Sequence, residues 1–558
     1  MMMYRINSHK ETSRGVSLFL VVMMLFAALP MQGQKLITYD AGMGTRHPDD
    51  PDVWVLYQQV TARHEGMTLH ADSAHLNTVL NNFDAYGHVR VDITDTTTLY
   101  GDRIFYDGTS RVVNVWCEAR RGRVTDSVRL VDGRTLLKTP HLLYDRNTST
   151  ATYNNGAVTT HDDKRLVSRQ GDYNSDTKIV YIYTQVVFTD SNMRMETDTL
   201  IYNMTSHIAD YWSPTRIYTD SAYLYSESGS YDTDLRYALS TQASHVENDG
   251  KTLDCDTLHY YEEREYGKAI GNVSLFDSAN NCLCLSRYAE TDQSSHTSFV
   301  TDSALVMLME KPDTTATADT MAVTDTLYIH ADSIIVVNDS SRQLLSVNAF
   351  HHAKGYRSDG QFMADSVFYH VQDSLVELFY QPVLWYDDYQ LTADTILATL
   401  DSNGFRQVLL NSNCKGMGAV DDEKYNQLKG ARGVVSFVAG DIHTVDVLGN
   451  TEVVYYVTEE LKADSLTSDT LTVDTLSVGQ DSVAQDTAVL GLIGINAGTC
   501  TDMRLCFADG EPIHAVMHGH PDMRVYPLSQ LPEDKRRLPG FQWFGDRRPR
   551  VPLDVFRW

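Results

Sequence analysis

The sequence predicts an all-β chain, an elongated array of tandem repeats in which each strand bends and continues. Three observations predict it. The first is a returning phrase that reads apolar, any, small, Asp, any, apolar, any, Tyr, seen most cleanly at Leu99–Tyr106, Met195–Tyr202 and Phe362–Tyr369. With the Asp slot as marker there are twelve copies, at Asp72, Asp102, Pro140, Arg169, Asp198, Glu227, Asp256, Ser286, Asp332, Asp365, Asp394 and Ala431, and the run from Pro140 to Asp256 keeps a spacing of 29 residues. The second is the Tyr slot, four residues on, filled by Tyr106, Tyr144, Tyr173, Tyr202, Tyr231, Tyr260 and Tyr369. Chance would fill about 0.7 of the twelve. The third is composition: Tyr and β-branched residues abound and Pro is scarce, which suits strands.

The phrase has a physical reading. Leu99 and Ile104 are five apart, so a flat strand would put them on opposite faces. One extra residue between them, a β-bulge, brings both to the same face. Eleven copies carry a small residue before the marker, with Leu285 the exception. A small residue followed by Asp suits a corner, because Asp bonds nearby backbone and tolerates unusual dihedrals. Several copies lack the carboxylate, so the Asp column reads as corner chemistry and not as a metal or catalytic ladder.

Taken in order, residues 1–33 read as a signal peptide: Arg5, Lys10 and Arg14 precede an apolar run from Val16 to Leu29, with Gly33-Gln34 a plausible cleavage point. Residues 34–66 form a lead-in with a first strand at Val53–Tyr57. Repeats fill 67–310. Between phrases lie alternating strands opened by a turn, as at Gly87, Gly156 and Gly271. Val89, Val91 and Ile93 then share one face, as do Val273 and Leu275. Residues 311–324 form a Thr/Ala/Asp linker, and repeats resume over 325–460. In this second block Val383 and Trp385 alternate with Leu384 and Tyr386, which predicts a strand covered on both sides. Residues 461–488 are an acidic low-complexity insertion. Residues 489–558 form a C-terminal segment ending in a basic aromatic tail, where Lys535–Trp558 holds seven Lys/Arg against two Asp. That tail is expected to dock a partner or fold back on the acidic body.

The net charge of −28 argues against nucleic-acid binding. Seven scattered Cys make no disulfide framework, although Cys500 and Cys506 could close a short loop. His514, His518 and His520 lie close in sequence but lack a metal-binding scaffold, so no metal and no cofactor are expected. There is no G-x-S-x-G, H-E-x-x-H or Walker loop, and no carboxylate pair stands apart from the acidic background, so no enzyme is expected.

The Gly-x-Val openings and the apolar-x-Ala-Asp-x-apolar-x-Tyr phrase resemble the LptA/OstA family of lipopolysaccharide transport, and in particular the larger OstA-like proteins of the Bacteroides group. Gly87–Tyr106, Gly271–Leu285 and the Ala-Asp copies at Asp72, Asp332, Asp365 and Asp394 carry the resemblance over roughly residues 67 to 460. The chain departs from the short members in length, in its two acidic insertions and in its tail. The resemblance implies an elongated β-jellyroll, folded like a taco from two antiparallel sheets around an apolar trough. It implies a periplasmic carrier or bridge in outer-membrane biogenesis that holds lipopolysaccharide, or a similar acylated glycolipid, by its acyl chains. It also implies edge-to-edge β pairing with other transport proteins or with a second copy. Val89, Val91, Ile93, Ile104, Leu200, Leu258, Val273, Leu275 and Val367 are the trough candidates. Two other readings stand beside it: a parallel β-helix enzyme acting on polysaccharide, and a structural repeat protein with a packed core and no lipid.

Overall fold

The computed structural model describes residues 35–117, 127–309, 325–401, 404–461, 489–508, 510–527, 530 and 532–558. The signal peptide, the 311–324 linker and all of the acidic insertion beyond Leu461 lie outside the described residues. The chain divides into two compact units. The first holds the residues up to Ser191 with Asp198–Ser206; the second holds Asn192–Thr197 with His207–Trp558.

Every strand pairing in the first unit is antiparallel, and partners are near neighbours in sequence. Strand Met67–Asn77 shows the plan. Its residues before Asp72 pair with 60–64 and 89–92, and those after it pair with 53–57 and 82–86. The half of this strand before Asp72 and its partners thus lie in one sheet, called front here, and the half after Asp72 and its partners lie in a second, called back. Met67, Leu69 and Ala71 are buried before the corner, and Ala74 and Leu76 after it. The parity of burial switches at Asp72, so both halves turn their apolar residues inward, as the bulge requires. Leu99 and Ile104, five apart, are likewise both fully buried.

The corners alternate between two kinds. In one, a single residue such as Asp72 or Asp102 makes the bend. In its neighbour, two consecutive left-handed residues make it: Gln58–Gln59, Gly87–His88 and Thr184–Gln185 in the first unit. Left-handed backbone costs a non-glycine residue about 1–2 kcal/mol, so the pairs need compensation. The facing Asp supplies it. The Asp72 carboxylate meets His88 Nδ1 at 2.7 Å, and Gln185 N–H donates to Asp198 at 3.4 Å. The Asp column is corner chemistry. Gly87 therefore does not open a new strand; it bends one that runs unbroken from Asn82 to Asp92. The lead-in also holds more than one strand, because Thr38–Asp40 and Met43–Arg46 both pair with Val53–His64.

The second unit repeats the plan, again wholly antiparallel, which rules out the parallel β-helix. At Asp256 the backbone N–H donates to Gly271 O at 2.9 Å, and Asn272 Nδ2 donates to the carboxylate at 3.0 Å. A Cβ on Gly271 would come within 2.3 Å of that carboxylate, so this left-handed site (φ +77°) needs glycine twice over. His352 meets Asp332 at 2.9 Å and Asn413 donates to Asp394 at 2.9 Å.

One marker moves. The register places Arg287, not Ser286, opposite both Gly271–Asn272 and Asp302–Ser303. The residue before the corner is then Ser286, and the Leu285 exception disappears. Met309 pairs with Thr326, so the ladder is continuous on either side of 311–324. It also continues beyond residue 460. Leu461 pairs with Val489, and Thr501 makes a further single-residue corner opposite Gly519–His520. The apolar-Asp-Tyr phrase is absent there, so the sequence hides a bend that the pairing reveals. Cys500 and Cys506 flank that bend and are unbridged.

Candidate functional site

The space between front and back sheets is the first candidate. Of the nine trough candidates, Val89, Val91, Ile93, Ile104, Leu200, Leu258, Val273 and Val367 are buried and Leu275 is half-buried. In the first unit the front sheet carries an inward row in which Leu69, Val91, Leu99, Leu130 and Leu137 are successive cross-strand partners. The back sheet carries the Tyr slot. Its row runs Tyr106, Val113, Tyr144, Ala151, Tyr173, Val180, so each large ring alternates with a smaller side chain. That alternation fills the interior to high density. Six of the seven tyrosines are buried, and Tyr369 is half-buried.

The tyrosines end at the side of the sandwich opposite the corners, where the hairpin turns of the two sheets meet as lips. There the hydroxyls join a buried polar latch. Tyr173 Oη donates to Asp132 at 2.6 Å, Thr97 Oγ1 donates at 3.3 Å, and Lys178 pairs with the same carboxylate, whose side chain is fully covered. Burial, and then Asp132 itself, push the Tyr173 hydroxyl far up, so it stays a donor. His64 Nε2 donates to Lys35 O at 2.8 Å, which leaves Nδ1 to accept from Tyr106 at 2.6 Å. Arg146 donates to Tyr106 Oη at 3.0 Å and to Glu65 O at 2.9 Å. Arg111 on a back-sheet turn meets Glu65 on a front-sheet turn at 2.7 Å. Asp132, His64, Arg146 and Lys178 had no visible motif. The one signal for the latch is the Tyr column itself, since a buried Tyr hydroxyl needs a partner.

In the second unit the same interior opens. A cavity of about 250 Å³ lies between the sheets, lined by Leu391, Leu428, Val435, Phe437, Val453 and Leu505. Tyr386, Phe405 and Phe437 form an aromatic cluster inside it, with ring centroids 5.0–5.9 Å apart. Leu391 and Leu428 occupy the inward slot three residues before their corners, the slot of Leu69 and Leu99. Sequence reasoning missed them by choosing the slots after the corner.

The outer face of the front sheet is the second feature. In the second unit it is apolar: Met363, Val383 and Trp385 are buried there, while Leu384 is buried on the inner side. The strand over Val383–Tyr386 is covered on both faces as expected, and the cover is the chain's own tail. The tail crosses this face as a strap held by a column of glutamines, each four residues before its corner. Gln427 donates to Arg536 O at 2.8 Å and accepts from Leu538 N–H at 2.8 Å. Gln390 donates to Gln542 O at 2.8 Å and accepts from Phe544 N–H at 2.7 Å. Gln361 accepts from Arg548 Nε at 2.6 Å. Lys354, buried, donates to Arg547 O at 3.0 Å; burial, then Arg547, hold its pKa below the usual lysine range. Phe544 packs on Met363, Val383 and Trp385, and Phe556 lies 4.5 Å from the ring of His330. No earlier copy has Gln at that slot.

Among the described residues no group of three or more His, Cys, Asp or Glu could hold a metal ion. The model of the OstA-like protein family matches residues 36–198 and 173–256. No curated protein matches the chain. Among solved structures, LptH of Pseudomonas aeruginosa, described as the LptA homologous periplasmic component of the conserved lipopolysaccharide transport device, is similar at 17% identity. The match covers 20% of this chain and 77% of that one, with a TM-score of 0.17.

Proposed function

Starting from the membership of residues 36–256 in the OstA-like family, we propose that this chain is a periplasmic lipopolysaccharide carrier that holds acyl chains between its front and back sheets. The observation that carries the proposal is the apolar cavity of about 250 Å³ between the sheets of the second unit. Burying acyl chain contributes about 0.8 kcal/mol per methylene, so a short apolar slot discriminates for lipid without catalysis. The lips leave a sugar headgroup in water while the chains lie inside. Among the described residues, Thr38–Asp40 and Met43–Arg46 in the first unit and Asp522–Pro527 in the second each pair on one side only, which suits β pairing with another transport protein or a second copy.

A photo-crosslinker tests this in cells. Placed at Val453 or Leu275 it is expected to capture lipopolysaccharide or another acylated glycolipid, and at the outward Arg90 or Ser274 it is not. Equal labelling on both faces, or none on either, returns the protein to the structural reading.

A further inference from the structure

We propose that the cavity between the tail strap and the corner ladder of the second unit is a saccharide site for one or two pyranose rings. It encloses about 480 Å³, within the roughly 300–1,000 Å³ of small-molecule sites. Its position is on the outside of the sandwich, separate from the space between the sheets. The probes below carry no acyl chain, so its failure leaves the carrier reading standing.

The lining is of mixed sign. Asp365 and Asp394 stand with Lys415 and Arg547. A simple anion meets carboxylates there, and a simple cation meets Lys and Arg. Hydroxyl groups, which both donate and accept, satisfy both. Asp394 and Asn413 are locked together by bonds of 2.9 and 3.0 Å, a preformed polar pair with acceptor capacity left over.

The rim is aromatic. Tyr380 is 72% exposed and Trp558 is 52% exposed. The Trp558 indole is held in place, donating to His352 O at 3.1 Å. Tyr380 occupies the first slot of a left-handed corner pair at φ +61°. A bulky residue there is strained. At other corners this slot holds Gln58, Gly87, Thr184, Gly271, Asp302, His351, Ser412 and Gly449, so the corner itself does not ask for a tyrosine. Flat rings over a hydroxyl-seeking floor suit the apolar face of a pyranose. The strap supplies one wall through Gln542, Phe544 and Arg547, so the site exists only with the tail in place.

Saturation-transfer NMR on the full chain tests it, with cellobiose, maltose and digalacturonate as probes at about 10 mM, which suits millimolar affinities. At least one probe is expected to show transfer to its ring protons, weakened at least about tenfold by Tyr380→Ala and by Trp558→Ala. Thermal melting of the Tyr380→Ala protein is expected to match the parent, because that ring is exposed. Loss in Tyr380→Ala alone suffices, since Trp558→Ala also loosens the strap. No transfer from any of the three probes, or transfer that Tyr380→Ala leaves unchanged, overturns the site.

Discussion

The slot four residues before each corner separates the first unit from the strap-covered part of the second. In the first unit it holds Thr68, Thr98, Leu136 and Arg165, half-buried or exposed. In the second it holds Arg194, Tyr223, Thr252, Leu283 and Tyr328, again half-buried or exposed, until the strap, beneath which it holds Gln361, Gln390 and Gln427, all buried. Inside the sandwich the contrast runs the other way. The first unit closes its interior with a tyrosine row and a buried latch, whereas the second leaves an apolar cavity. One phrase builds both. The corner and the inward slots define the fold, and the slots that the fold leaves free decide whether a face meets water, a strap or a ligand.

The largest effect is expected at the latch. Asp132→Ala strands Tyr173, Thr97 and Lys178 in a covered site, and is expected to cost about 3–5 kcal/mol. Denaturant melts should show the first unit unfolding early and the second unchanged; coincident loss in both would erase the contrast. Next comes a paired overpacking. Val115→Phe enters a filled column and is expected to cost about 1–3 kcal/mol. Val435→Phe enters the cavity, and is expected to cost under about 1 kcal/mol while abolishing glycolipid capture at Val453. Equal costs would mean the cavity is no emptier than the column. Phe544→Ala removes a half-buried ring from Met363, Val383 and Trp385 and should lower the second unit by about 1–2 kcal/mol, read in the same melts.

The smallest effect is a pH response. Burial holds the His330 pKa below its ordinary value, while its bond to Ala304 O and the nearby Asp332 pull the other way. The folded ring therefore binds fewer protons than the unfolded one. Stability at this site is complete above the unfolded pKa of about 6.5 and falls as pH drops below it. Because Phe556 packs on His330, Trp558 fluorescence should shift toward that of an exposed indole between about pH 7 and 5. The His330→Gln protein should lose that shift.

Much of the fold was legible because its strongest constraint is local. A bend that must turn Leu99 and Ile104 to one side leaves an odd spacing and a small-Asp step in the sequence, and twelve copies make it visible. The partner corner was not legible. Gln58–Gln59, Thr184–Gln185 and His351–His352 take left-handed backbone without glycine, and at the last two pairs a facing Asp bonds the corner. At Ser286 the phrase slipped by one, and the large Leu285 in a small slot was the trace of that slip. The glutamine column escaped because its partner lies more than a hundred residues away, beyond any local pattern. The cavity escaped because sequence periodicity reports which side chains face inward, not whether they meet.

The strap also sets an order of events. Every described strand in the second unit pairs with strands no more than three places away along the chain, so the ladder can zip without long searches. The strap's hydrogen bonds span from 109 residues, at Gln427, to 206, at Trp558. Its seat does not exist until the strands carrying His330, Gln361, Gln390 and Gln427 stand side by side. Docking is therefore the last step of assembly, and a covered Trp385 reports that the sheet beneath it is complete. In pulse-labelled hydrogen exchange, amides of the strap should gain protection after those of the corners, with the backbone N–H groups of Leu538 and Phe544 among the latest to close.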